Sequence, residues 1–229
     1  MDREVAELVI DWYLDTEARL AETLKVIPLT ERTEAVVLPC LAGTVVEAGS
    51  LINSVFRSHY TGPEAPERAG MKAYHAQFEA GLLLSSTRTL LFRRPPNYVR
   101  PFSPWATDYQ ELTWWTAYNN LKHDRAVSYS ESTLRNAIDC VCALHQVIAK
   151  LDTFFWPLVD RNLIMLGTLA PSYVLEDIYS TAPNHTVLVE TDLFATPVGR
   201  ESFPDDPDKI RPVHFEFGRR LWRFLGLQN

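Results

Sequence analysis

No glycine interrupts the chain between Leu82 and Met165, whereas four prolines, Pro95, Pro96, Pro101 and Pro104, crowd between Arg93 and Trp105. Proline lacks a backbone donor and pushes the residue before it out of the helical region, so no helix crosses that stretch. Long helices must lie on either side of a loop, and the apolar residues there recur at helical spacing.

Over residues 3–26, Val5, Leu8, Val9, Trp12, Leu20 and Leu24 repeat at threes and fours, and Pro28 ends the run. A second helix is predicted over 31–60 on Val36, Val37, Leu41, Val45, Leu51, Ile52, Val55 and Phe56, with Pro39 marking a kink or a delayed start. A third spans 70–93 on Tyr74, Phe78, Leu82, Leu83, Leu90 and Leu91. The fourth starts at Asp108, where Asp108 and Glu111 have capping-box spacing, and ends near Arg125. The fifth covers 131–156 on Leu134, Ile138, Val141, Leu144, Val147, Ile148 and Leu151. The expected fold is mainly α, an antiparallel bundle of about five long helices over residues 1–166.

Beyond Gly167 six prolines punctuate the sequence. Tyr173–Leu175 and His185–Thr191 read as short strands around a turn at Thr181–Asn184. His214–Phe217 reads as an edge strand and Arg219–Phe224 as a closing segment. Residues 167–229 are therefore expected to form a small β-containing appendage.

A hydrophobic fraction of 46% supports a real core, and a net charge of −7 argues against a long nucleic-acid-coating surface while leaving room for a small basic pocket. Cys40, Cys140 and Cys142 read as small buried apolar residues in a reducing compartment; Cys140 and Cys142 point apart on a helix, a poor geometry for one metal. The start Met1-Asp2-Arg3-Glu4 lacks a signal-peptide pattern, and no uninterrupted apolar run reaches about 18 residues. A cytoplasmic protein without a membrane span is the expectation.

The stretch Trp114-Trp115-Thr116-Ala117-Tyr118-Asn119-Asn120-Leu121-Lys122-His123-Asp124-Arg125 concentrates the chemistry. Buried amides and imidazoles cost about 1–3 kcal/mol when unpartnered, so such a mixture is a specified polar network or a site. At 100° per residue, Thr113, Ala117, Asn120 and Asp124 share a side suited to solvent. Trp115, Asn119, Lys122 and His123 fall in an arc opposite, bordered by Tyr118. A cation, an imidazole and an orienting amide are the parts a phosphate site needs.

The run Tyr118-Asn119-Asn120-Leu121-Lys122-His123 resembles the motif of the HEPN superfamily, helical bundles that include metal-independent ribonucleases and their inactive relatives. The resemblance covers residues 30–158. Asn119 matches the polar position and His123 the histidine, while Tyr118 stands where the family carries its arginine. The resemblance implies a homodimer whose two histidines face one cleft, where an RNA 2′-hydroxyl attacks the adjacent phosphate. His123 would be acid/base, Lys122 the phosphate cation and Asn119 the orienting amide, with Trp115, Tyr118 and Arg125 as binding residues. The missing arginine removes an oxyanion contact worth about 2.7–4 kcal/mol, and lysine lacks the bidentate fork. The resemblance therefore implies a non-catalytic module in RNA-linked stress or defence, contacting RNA or a protein partner, with metal-independent endoribonuclease as the alternative. No cofactor is expected.

A purely structural or interaction protein with no nucleic-acid role competes with both readings. Cations in a last helical turn favour the dipole's negative end without any ligand, and Trp114, Trp115 and Tyr118 can be core anchors. His75 and Glu79 stand at metal-ligating spacing on a helix, without the second pair a site needs. Arg88, Arg93, Arg94 and Arg100 around the proline-rich loop, and Arg219, Arg220 and Arg223 around Trp222, suit either single-stranded nucleic acid or helix ends and carboxylates. His145 reads as a satisfied core histidine.

Overall fold

Asp2 caps the first helix, its carboxylate accepting from the Val5 amide at 2.9 Å, and α1 then runs Arg3–Val26 over the expected span. In the computed structural model, residues 1–93, 95–166, 171–180, 186–211 and 218–226 are described, with the backbone alone over 171–174. α2 (Pro39–His59) begins at its proline, because residues 36–38 are held extended: the Leu134 amide bonds Val36 O at 2.9 Å and the Leu38 amide bonds Ser132 O at 3.2 Å. Among the described residues α2 alone is long and apolar enough to cross a bilayer, and it packs between α1 and two later helices, over 113–123 and 134–150.

The helix predicted over 70–93 is a correction. α3 (Met71–Leu82) stops at Leu83, which adopts a left-handed conformation at φ 53°, and the strand β1 (Thr89–Leu91) follows. The polar residues in between make the break. The Ser85 amide bonds the Glu79 carboxylate, and Thr87 returns both its amide and its hydroxyl to Leu83 O. The proline-rich stretch contains a second strand, β2 (Asn97–Val99), paired antiparallel with β1.

α4 (Thr113–His123) starts at an uncapped Leu112, so the predicted Asp108–Glu111 capping box does not form. The segment before α4 is instead tied down by tryptophans: Trp105 Nε1 donates to Gln110 O, and Trp114 Nε1 donates to Pro101 O. α5 (Leu134–Lys150) is capped by Thr133, and fifteen of its seventeen residues are buried, which makes it the central helix. α6 (Phe155–Asp160) packs on α1. Tyr173–Leu175, expected as a strand, lies in α7 (Pro171–Ile178), which opens on the proline that favours a first helical turn. The strand expected at 185–191 is β3 (Leu188–Glu190), followed by β4 (Phe194–Pro197) and α8 (Arg219–Leu225). His214–Phe217, Thr181–Asn184 and His185 lie outside the described residues.

The strands form one antiparallel sheet in the order β2-β1-β4-β3, with Leu90 opposite Ala195 and Val189 opposite Thr196. Residues on both sides of position 166 therefore share a sheet. β1, β3 and β4 are buried at every position because both sheet faces are covered. Leu91, Val189 and Phe194 join the main core with α5, while Leu90, Leu188 and Ala195 face a second core of Phe203, Ile210 and Leu221. The fold is mainly helical with a small four-stranded antiparallel sheet.

Candidate functional site

Trp114, Ala117, Tyr118 and Leu121 form the inner face of α4. That corrects the predicted phase by about one residue position: Ala117 is buried rather than solvent-facing, and Lys122 and His123 are exposed. The larger apolar groups at 114, 118 and 121 decide the rotation of the helix, since burying each is worth about 1.5–3 kcal/mol. Tyr118 is 1% exposed, and its ring fills the space that a Cβ on Gly49 of α2 would occupy.

Trp115, Tyr118 and Lys122 come together along one edge of α4. The half-buried Trp115 ring lies 4.7 Å from that of Tyr118, and Lys122 Nζ donates to the Tyr118 hydroxyl at 3.1 Å. The buried Tyr118 thus holds the lysine one turn further along α4. Asn119 is half-buried; His123 and Arg125 are exposed. Among the described residues no carboxylate pairs with Lys122, His123 or Arg125. Asp124, between them, accepts from the Val127 amide at 3.0 Å and so fixes the turn after α4.

Several other sequence candidates have structural roles. Glu79 holds Ser85, and His75 packs edge-on to Trp105 at 5.1 Å; no metal-binding cluster occurs among the described residues. Arg88 bonds Phe203 O and pairs with Asp205, Arg100 bonds Ser85 O, and Arg220 pairs with Asp192. Arg94 lies outside the described residues. Cys140 and Cys142 are buried and free, whereas Cys40 is exposed in the first turn of α2, contrary to expectation.

A buried polar array joins α1, α5 and the β3–β4 turn, and most of it escaped sequence reasoning. Tyr13 Oη lies 2.8 Å from His145 Nδ1 and 3.3 Å from Thr191 Oγ1; Thr191 donates to Glu17, which also accepts from the Leu193 amide at 3.1 Å. Assigning the His145 proton to Nδ1 lets each hydroxyl accept from its neighbour and donate onward toward Glu17, leaving only a lone pair unpartnered at Nε2. Burial pushes the Glu17 carboxyl from 4.5 up to about 7 and the His145 imidazole from 6.5 down to about 3. Further along α5, Gln146 donates to Thr89 Oγ1, and Lys150 Nζ donates to Pro197 O at 2.8 Å and Glu201 O at 2.6 Å. Burial lowers Lys150 from 10.5 to about 7. Tyr13, Glu17, His145, Lys150 and Thr191 are at most 2% exposed, so the array is closed to substrate and serves to fix the sheet on the helices. The available signal was Glu17 one turn after Tyr13 on the mainly apolar inward stripe of α1.

A cavity of about 640 Å³ opens between residues 60–64 and the start of α3, walled by Tyr60, Pro63, Ala73, Ala76 and Gln77. The Gln77 amide is already committed to His59 O and the Thr61 amide. No residue of α4 lines it. Compared with protein-family models, curated proteins and solved structures, the chain has no match.

Proposed function

We propose that this chain is a HEPN-like, non-catalytic module that binds single-stranded RNA, with α1 to α5 as its antiparallel bundle. The binding edge is that of α4. Lys122, His123 and Arg125 contact phosphates and Trp115 offers part of an indole face to a base. Two copies paired through α4 would line one cleft with both edges, in a cytoplasmic, RNA-linked stress or defence role.

The observation that carries this reading is the set of three exposed basic side chains within four positions, unpaired with any described carboxylate, beside a half-buried tryptophan. In a chain of net charge −7 that patch is local, as a short single strand requires. Catalysis is disfavoured because Lys122 is held by Tyr118 and no arginine stands in the motif position. Fluorescence anisotropy with a labelled single-stranded RNA tests it: wild type binds, and Lys122→Ala with Arg125→Ala weakens binding. Equal affinity of the two proteins sinks the reading.

The exposed imidazole of His123 next to Lys122 favours a second reading, a metal-independent endoribonuclease. Cleavage of a mixed RNA pool in EDTA, lost in His123→Ala, would establish it; no cleavage by wild type leaves the binding module.

A further inference from the structure

One face of α1 is apolar and uncovered. Val5, Leu8 and Trp12 stand at i, i+3 and i+7 and are 43%, 46% and 50% exposed, while Val9, Tyr13, Thr16 and Leu20 of the same helix are buried. The stripe is about 10 Å long at 1.5 Å per residue. Half-exposure of three large apolar side chains in a row on a regular helix is what an unfilled helix-packing face looks like.

The charges beside it choose the occupant. Glu4, Asp11 and Asp15 are all exposed, and at 100° per residue they fall about 50–95° to one side of the stripe's centre. Asp11 shares its carboxylate with Arg161, whereas Glu4 and Asp15 have no ion pair among the described residues. On the other side Val9 and Thr16 turn into the bundle, so a docked helix meets one flank only, and that flank is acidic. A second copy does not suit it. An antiparallel, two-fold pairing of helices sets each flank against the same flank of its mate, which would place acid against acid.

We propose that the Val5–Leu8–Trp12 face of α1 docks an amphipathic helix of a protein partner that carries lysine or arginine beside its own apolar stripe. Apolar residues at i, i+3 or i+4 and i+7 of the partner would pack around Trp12, and its cations would meet Glu4 and Asp15. The site lies on α1, apart from the α4 edge, so it stands independently of the RNA reading.

The test uses the whole chain and a labelled synthetic helical peptide of leucine and lysine at that spacing, with a leucine–glutamate peptide of identical pattern as control. Saturable binding of the lysine peptide is expected, weakened at least about tenfold by Trp12→Ala and by Glu4→Lys with Asp15→Lys, and absent for the glutamate peptide. Trp12 is half-exposed, so its alanine variant should keep the wild-type melting profile, which circular dichroism checks. Binding that Trp12→Ala leaves unchanged overturns the proposal, as does no binding by wild type. A dimer of the free protein that sedimentation detects and Trp12→Ala abolishes also overturns it, because the occupant is then a second copy.

Discussion

The ring of Tyr118 sits where a side chain on Gly49 would have to be, so α4 approaches α2 across a position that admits no Cβ. Two effects oppose each other in Gly49→Ala. Alanine favours the helix by about 1 kcal/mol. Forcing a methyl into the aromatic ring costs about 1–3 kcal/mol or more, and the clash lies against the base of the ring, where it cannot swing away. Net destabilisation is expected in urea unfolding. In a Tyr118→Ala background the same substitution should become stabilising, and a double-mutant cycle showing no coupling would contradict the packing.

Glu17 and His145 give opposite slopes with pH. The Glu17 carboxyl is raised in the folded state, so its contribution is fully present below pH 4.5 and is lost as pH rises to about 7, some ~3 kcal/mol in all. His145 is depressed, so its contribution is present above pH 6.5 and lost as pH falls toward about 3. Between 4.5 and 6.5 folding takes up one proton and releases another, and the wild-type stability should be flat. Glu17→Gln should leave a curve that climbs with pH over that window, and His145→Gln one that falls. Unfolding midpoints that keep the wild-type profile in both variants would refute the pairing.

Lys150 predicts a third dependence. Its ammonium is destabilised by burial, so the unfolded chain holds a proton between pH 7 and 10.5 that the folded chain has lost. Wild-type stability measured relative to Lys150→Met should rise with pH across that range, by about 1.4 kcal/mol per unit. A level difference curve would mean that Lys150 stays charged, held by Pro197 O and Glu201 O.

If Lys122 and Arg125 contact phosphates, removing both should flatten the dependence of log K on log salt. The expected change in slope is about 1.4, about 0.7 for each phosphate on a single strand. A loss of affinity with the slope unchanged would assign these residues to something other than phosphate.

Strongly periodic helices were legible: the span of α1 follows from its apolar spacing and proline stop, and α5 was recognisable from its stripe, although it ends at Lys150, short of the predicted 156, because Leu151 is extended. Local polar chemistry was not. Leu90 and Leu91 fit the helical period of α3 as well as they fit a strand, and only the capture of Ser85 by Glu79, with Leu83 left-handed, separates the two. Tyr173–Leu175 carries strand-like side chains, yet the helical start at Pro171 prevails. On α4 the constellation of tryptophan, tyrosine and lysine was visible, but the close approach that buries Tyr118 needs Gly49, 69 positions away, which no local pattern reports.

The sheet also bears on how the protein is made. β1 leaves the ribosome about a hundred residues ahead of β4, its neighbour at Leu90–Ala195. Until then Leu90 and Leu91 have only β2 beside them, and the unpaired edge is open to strands from other nascent chains. Helices α1 to α5 can pack first, since their contacts lie within the earlier part of the chain, but the sheet must wait for the last. Synthesis paused between Leu91 and Phe194 would therefore be the vulnerable interval for aggregation, and a chaperone that shields strand edges would act there.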